Sequence, residues 1–245
     1  MKLKEALENS GVSAIIYGES GIGKTHFCGT LPGSTLIIAA EANGIKTLAR
    51  SENADYIDVI NLPSAGSTIA ETAKRYDQFF EALLTAELTF DNVVLDSATE
   101  LANQLMISKT DLTKNGGAPA QHTYLEVQWA MRRYLRILRD LAVLYNKNVI
   151  VTALESELIL SQSADAAHSK NHPALTGKKL SPEAEGLFDI VGHMEKTPNG
   201  TRYILLEGNG TFVAKDRFGR KACVANGEIF VKGLTGNENN ENKEQ

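Results

Sequence analysis

The sequence predicts an α/β fold: a mainly parallel sheet flanked by helices on both faces, with a C-terminal antiparallel β extension. Three observations carry this expectation. Apolar runs alternate with helical patterns through the first two thirds of the 245 residues. A glycine-rich turn joins the first run to the first helix. After residue 185 the rhythm changes to short β-like runs separated by turns.

Taken in order, Met1 to Glu8 reads as a short amphipathic helix and Ser13–Tyr17 as a buried strand leading through the glycine-rich loop into a helix from His26. Thr35–Ala40 and Tyr56–Ile60 follow as strands. Ser67 to Leu88 reads as a long helix, with Ile69, Ala73, Tyr76, Phe80 and Leu83 at helical spacing. Asn92–Leu95 and Asn148–Leu154 are further strands, separated by helical patterns at Ser97–Lys114 and His122–Tyr145. The closing runs are Phe188–Lys196, Arg202–Glu207, Thr211–Lys215 and Glu228–Val231. Between them lie Pro198-Asn199-Gly200, Gly208-Asn209-Gly210 and Ala225-Asn226-Gly227, sequences that suit hairpin turns. Residues 1–233 are expected to form one domain. The Asn- and Glu-rich stretch 234–245 lacks periodicity and is expected to be a disordered acidic tail.

Composition narrows the function classes. The chain is 42% hydrophobic and 22% charged, an ordinary globular balance, and its net charge of −5 confines any nucleic-acid contact to local patches. Cys28 and Cys223, the only cysteines, cannot supply a disulfide framework or a four-cysteine zinc site. No run has the length of a membrane helix and the N-terminus lacks the apolar core of a secretory signal, so no membrane partner is expected. A reduced cytoplasm is the expected location.

Gly18-Glu19-Ser20-Gly21-Ile22-Gly23-Lys24-Thr25 fits G-x-x-x-x-G-K-[ST]. A triphosphate presents clustered negative charge, and such a loop answers with backbone N–H groups at a helix start. The expected ATP-binding set is Gly18, Gly21, Ile22, Gly23, Lys24, Thr25 and His26, with Lys24 on the β- and γ-phosphates and the Thr25 hydroxyl on Mg²⁺. Asp96 ends the apolar run Val93-Val94-Leu95, where a carboxylate can hold Mg²⁺; it can equally cap the next helix with Ser97 and Glu100. Glu41 closes Leu36-Ile37-Ile38-Ala39-Ala40, either as a group that orients the attacking water or as a surface residue starting a loop.

A P-loop, a glutamate closing the next strand and a later strand ending in Asp96-Ser97-Ala98-Thr99-Glu100-Leu101 together resemble the core of RecA-like ATPases, over roughly residues 10 to 220. The resemblance implies that Glu41 is the catalytic glutamate and Asp96 the Walker B residue. Ala214-Lys215-Asp216-Arg217-Phe218-Gly219 is similar to the Lys-x-Arg hairpin of RecA-like helicases of the DnaB and RadA type. By that likeness Lys215 and Arg217 act on the neighbouring subunit's γ-phosphate, which makes the protein a homo-oligomer, ring or filament. The whole pattern, with Phe188-Asp189-Ile190-Val191-Gly192-His193, most resembles phage-encoded single-strand annealing or recombination ATPases, which implies the cytoplasm of a bacterial or phage-infected host cell. It departs from many RecA-like proteins after Val149–Thr152, where Thr152-Ala153-Leu154-Glu155 stands in place of a γ-phosphate-sensing glutamine and leaves Thr152 as the candidate.

In RecA-like proteins a mobile loop at the place of Ala166–Pro182 lines a central channel. Here Lys170, Lys178 and Lys179 lie in a stretch without acidic residues, suited to a phosphate backbone. Arg132, Arg136 and Arg139 form a second basic stripe, on the helix His122–Tyr145. The expected function is Mg²⁺-dependent, DNA-stimulated ATP hydrolysis on single-stranded DNA in recombination, annealing or replication, with a single-strand-binding or replication protein as a further partner. The alternatives are a P-loop small-molecule kinase and a nucleotide-dependent switch or loader for a replication protein.

Overall fold

The computed structural model describes residues 10–41, 43–62, 69–111, 113–163, 166–177 and 179–230. The strands are β1 (Ser13–Gly18), β2 (Thr35–Ala39), β3 (Ile57–Asn61), β4 (Asn92–Asp96), β5 (Asn148–Ser163), β6 (Ala166–Pro173), β7 (Ile190–Lys196), β8 (Arg202–Leu205), β9 (Lys215–Asp216) and β10 (Ala222–Val224). The helices are α1 (Lys24–Cys28), α2 (Ile69–Leu83), α3 (Ala98–Lys109), α4 (Gln121–Tyr145) and α5 (Leu180–Leu187), with a 3₁₀ turn at Gly44–Arg50 beside the site.

The sheet runs β10-β8-β7-β1-β5-β4-β2-β3. β7, β1, β5, β4, β2 and β3 are mutually parallel, while β8 and β10 continue antiparallel. The expected mainly parallel sheet with an antiparallel extension is therefore found. β1, β2 and β4 are buried at every position and mainly apolar, because both faces are covered. Ile15, Ile38, Val93, Leu95, Val149 and Val151 pack beneath α2, α3 and α4. Ala14, Ile16, Ile37, Val94 and Ile150 face the other way, onto Phe27, Leu31, Leu48 and Ile229. α4 contributes Val127, Met131, Tyr134, Leu135, Leu138 and Leu141, a buried stripe at helical spacing. It ends at Asn146, whose φ of 53° closes the last turn.

Several expected elements end elsewhere, for local reasons. The long helix stops at Leu83 rather than Leu88, where the Tyr145 hydroxyl takes the Leu84 carbonyl at 2.5 Å. The helix expected to reach Lys114 stops at Lys109: the Thr110 hydroxyl donates to the Met106 carbonyl at 2.6 Å, and Asp111 accepts the Thr113 N–H at 3.0 Å. Of the expected strand Glu228–Val231, the described part, Glu228–Phe230, is not a strand. Gly227–Phe230 is a 3₁₀ turn, because Asn226 Oδ1 accepts the Glu228 N–H at 2.9 Å and Ile229 is buried in the core. Of Thr211–Lys215, only Lys215 enters a strand, since Asn209 Oδ1 gathers the N–H groups of Thr211 and Phe212 at 2.7 and 3.2 Å.

The largest correction concerns Ala166–Pro182, expected as a mobile loop. Ala166–Pro173 is β6, paired antiparallel with the outer part of β5 from Glu155 opposite Pro173 to Ser163 opposite Ala166, and α5 begins at Leu180. Backbone pairing satisfies donors and acceptors that a loop would leave to water. The expected N-terminal helix, the tail 234–245, Ser67 and Lys178 lie outside the described residues.

Candidate nucleotide site

β1 delivers the glycine-rich loop and α1 receives it. Phe27 and Cys28 on the inner face of α1 are buried, and burial pushes the Cys28 thiol well above its usual value, so this anchor is neutral. Gly23 precedes the helix at φ 113°, a conformation that disfavours any side chain. The first helical N–H to find a carbonyl is that of Phe27, on Gly23 at 2.9 Å, which leaves the N–H groups of Lys24, Thr25 and His26 without a helical acceptor. Such donors suit phosphate oxygens.

Lys24 is 8% exposed, and its Nζ donates to the carbonyls of Gly18 at 2.9 Å and Glu19 at 2.8 Å. Burial lowers its pKa below the usual lysine value, against the raising influence of Asp96 and Glu41. Of the expected binding set, Gly21, Gly23, Lys24, Thr25 and His26 line an open cleft of 1080 Å³. Gly18 and Ile22 do not; Ile22 packs its side chain against the apolar core.

Register brings the acidic groups to this cleft. In the β2–β4 pair Ala39 stands opposite Asp96, so Glu41 and Ser97, just beyond the strand ends, meet through a hydrogen bond from Ser97 Oγ to Glu41 Oε1 of 3.1 Å. The Thr25 hydroxyl donates to Asp96 Oδ2 at 2.7 Å and the Thr152 hydroxyl to Oδ1 at 2.5 Å. Thr152, the candidate γ-phosphate sensor, is thus fully buried and turned onto Asp96. Ser97, rather than Asp96, caps α3, its Oγ accepting the Glu100 N–H at 3.3 Å.

Thr25 and Asp96 suit Mg²⁺, a hard cation that takes oxygen donors, commonly one or two carboxylates plus substrate phosphates. A Cβ added to Gly44 would lie 3.7 Å from Asp96 Oδ2 and 3.8 Å from Thr25 Oγ1, so glycine keeps space clear beside the pair. No cluster of three or more acidic, His or Cys side chains forms a self-sufficient metal cage among the described residues.

Among the lining residues that the sequence did not announce are Gln104, Lys46, Arg50 and Arg202. Gln104 Nε2 donates to the Ala40 carbonyl at 2.7 Å, bracing the residue before Glu41, and to Glu100 Oε1 at 3.1 Å; the i, i+4 spacing from Glu100 was its only signal. Lys46 and Arg50 stand exposed on the 3₁₀ turn. Arg202, at the start of β8, reaches back so that its Nε donates to the Ile22 carbonyl at 2.8 Å. Nothing local in its sequence announces this.

Lys215 and Arg217 lie on the β7 side of β1, set back from the loop toward the amino ends of the strands. Lys215 is opposite Val191, which is level with Ile15, so it sits three residues, or about 10 Å of strand, before Gly18. Its Nζ donates to the Glu185 carbonyl at 2.5 Å, and Arg217 holds Asp189 at 3.0 Å and the Gly186 carbonyl at 3.2 Å. Lys170 stands on β6 opposite Leu158, and Lys179 is exposed just before α5. In the arginine stripe Arg132 pairs with Glu183, Nη2 to Oε1 at 2.8 Å, and Arg139 Nε donates to Asp140 at 2.8 Å.

Among the described residues no helix is long and apolar enough to cross a membrane. The AAA domain family matches residues 10–218 of the chain. No curated protein matches it.

Proposed function

Because the chain belongs to the AAA domain family, whose match covers the whole cleft, we propose that it binds ATP with Mg²⁺, hydrolyses it, and uses this hydrolysis on single-stranded DNA in recombination, annealing or replication. The observation that carries the reading is the convergence of Lys24, Thr25, Asp96 and Glu41 on one cleft.

On this reading the open N–H groups of Lys24, Thr25 and His26 bind the polyphosphate, and Lys24 exchanges the Gly18 and Glu19 carbonyls for its β- and γ-oxygens. Thr25 and Asp96 would hold Mg²⁺, which when bound neutralises charge on the phosphates. Glu41, fixed by Ser97, orients the attacking water and takes its proton as the new oxygen–phosphorus bond forms and the bond to the ADP oxygen breaks. Lys215 and Arg217, remote from their own subunit's loop, serve the neighbouring subunit's γ-phosphate in a homo-oligomeric ring or filament. Lys170 and Lys179, with Lys178 between them in sequence, contact the DNA backbone. A single-strand-binding or replication protein is the further partner.

Phosphate release measured with Mg²⁺, with and without single-stranded DNA, tests this reading. Hydrolysis that DNA stimulates, with DNA binding that weakens as salt rises, is the expected result. Hydrolysis indifferent to DNA, together with no DNA binding at low salt, would sink it. Phosphate transfer to a nucleoside or sugar would favour a kinase instead. Function that survives Glu41→Gln would favour a switch or loader.

A further inference from the structure

Arg202 has no role in the reading above, yet from β8 it reaches the backbone of the glycine-rich loop itself. It opens β8, opposite Lys196 at the carboxyl end of β7, and that end is level with the loop because β7 runs parallel to β1. Its backbone is held by the Ala225 N–H on its carbonyl at 3.2 Å. Its side chain is held by the Nε–H donated to the Ile22 carbonyl at 2.8 Å.

Space for this contact exists only because residue 23 is glycine. A Cβ there would stand 2.2 Å from Arg202 Nε and 2.7 Å from Cδ, both impossible distances. The guanidinium lines the same cleft as Lys24 and Thr25. Its two terminal nitrogens have no hydrogen bond or ion pair to any described residue. Arginine does not lose its proton, so a permanent charge with a free fork of donors faces the cleft.

We propose that Arg202 is a nucleotide contact supplied in cis: its Nε–H fixes the Ile22–Gly23 peptide, and its terminal nitrogens bind a phosphate oxygen common to nucleoside di- and triphosphates. This rests on the reading of the cleft as a nucleotide site. Sheet order supplies the choice of phosphate. Asp96 and Glu41 approach from β4 and β2 on one side of β1, whereas β8 lies beyond β7 on the other, so Arg202 meets the polyphosphate away from its γ end.

Titrations of wild type, Arg202→Ala and Arg202→Gln with ADP and with a non-hydrolysable ATP analogue, beside thermal melts of the free proteins, test the assignment. A charge-assisted hydrogen bond lost in the site corresponds to a fall of about tenfold or more in affinity. Arg202→Ala is expected to lose that factor equally for both nucleotides while the free protein's melting midpoint stays close to wild type. If the alanine variant fails to fold, Arg202→Gln carries the test, because it keeps a donor near Ile22 but removes the charge, and it must lose affinity for both. Wild-type affinity in the folded variants, or a loss confined to the triphosphate analogue, overturns the assignment. Failure of the wild-type protein to bind either nucleotide would overturn the nucleotide reading itself.

Discussion

Thr25 and Asp96 are hydrogen-bonded, hydroxyl to carboxylate, at 2.7 Å. The bond joins the start of α1 to the end of β4, 71 residues later in the chain, so the two groups proposed to hold Mg²⁺ already stand together in the free protein. Because they serve one ion, their substitutions are expected to be non-additive. Thr25→Ala and Asp96→Asn should each lower Mg²⁺-dependent ATP hydrolysis by roughly 10²-fold, the scale of losing one preorganised electrostatic contact. The double variant should lose little more than the worse single one; additive losses in a double-mutant cycle would mean that they act independently.

Glu41→Gln separates binding from chemistry. The amide keeps the contact with Ser97 but cannot take a proton, so turnover should fall by about 10²- to 10⁴-fold. Nucleotide affinity should stay near wild type. A variant that loses affinity but keeps turnover would assign Glu41 to binding instead.

Lys215 and Arg217 are proposed to act in trans, and a mixing experiment reads this directly. Lys24→Ala and Arg217→Ala proteins should each be inactive in ATP hydrolysis. A mixture should recover activity, because one partner supplies an intact loop and the other an intact arginine. No recovery in mixtures shown to co-assemble counts against the trans arrangement.

Glu185 is set for a pH effect on stability. Burial raises its carboxyl from 4.5 to about 7, against the lowering influence of Lys215. The folded chain therefore holds this proton more tightly than the unfolded chain. The resulting stability is complete below about pH 4.5 and is lost as pH rises through about 7. Glu185→Gln should flatten the pH dependence of the melting midpoint between about pH 5 and 8, and above pH 7 it should melt higher than wild type. Parallel pH profiles for the two proteins would refute this.

Leu138 is fully buried on the inner face of α4. Its replacement by alanine should cost about 3 kcal/mol, from lost burial and the cavity left behind. In a chain of this size that lowers the melting midpoint by roughly 6–12 °C, measurable by circular dichroism.

The parallel core was legible because strands covered on both faces are written as unbroken apolar runs, such as Ala14-Ile15-Ile16 and Val93-Val94-Leu95. The loop was legible because its glycines and Lys24 act within one short segment. The β5–β6 hairpin was hidden. The β6 stretch Ser169-Lys170-Asn171-His172 carries no apolar alternation, and its strand character is seen in the backbone pairing with β5. Gln104 and Arg202 were hidden for a different reason. Each acts through a contact 64 or 180 residues away in sequence, and no local pattern records such a distance. Thr152 was placed near the chemistry, but its hydroxyl serves Asp96, a direction that only the neighbouring strand decides.

With its ammonium resting on the carbonyls of Gly18 and Glu19, Lys24 acts as a plug in its own loop. On the proposed reading of the cleft, nucleotide arrival is then a swap rather than the filling of a vacancy: two neutral acceptors are traded for charged phosphate oxygens. Only part of the strength of the new charge-assisted bonds survives as affinity, because the bonds they displace were already good ones. The same exchange run backwards assists departure, since the lysine returns to acceptors the loop itself carries. Release after hydrolysis therefore leaves no buried cation stranded without a partner.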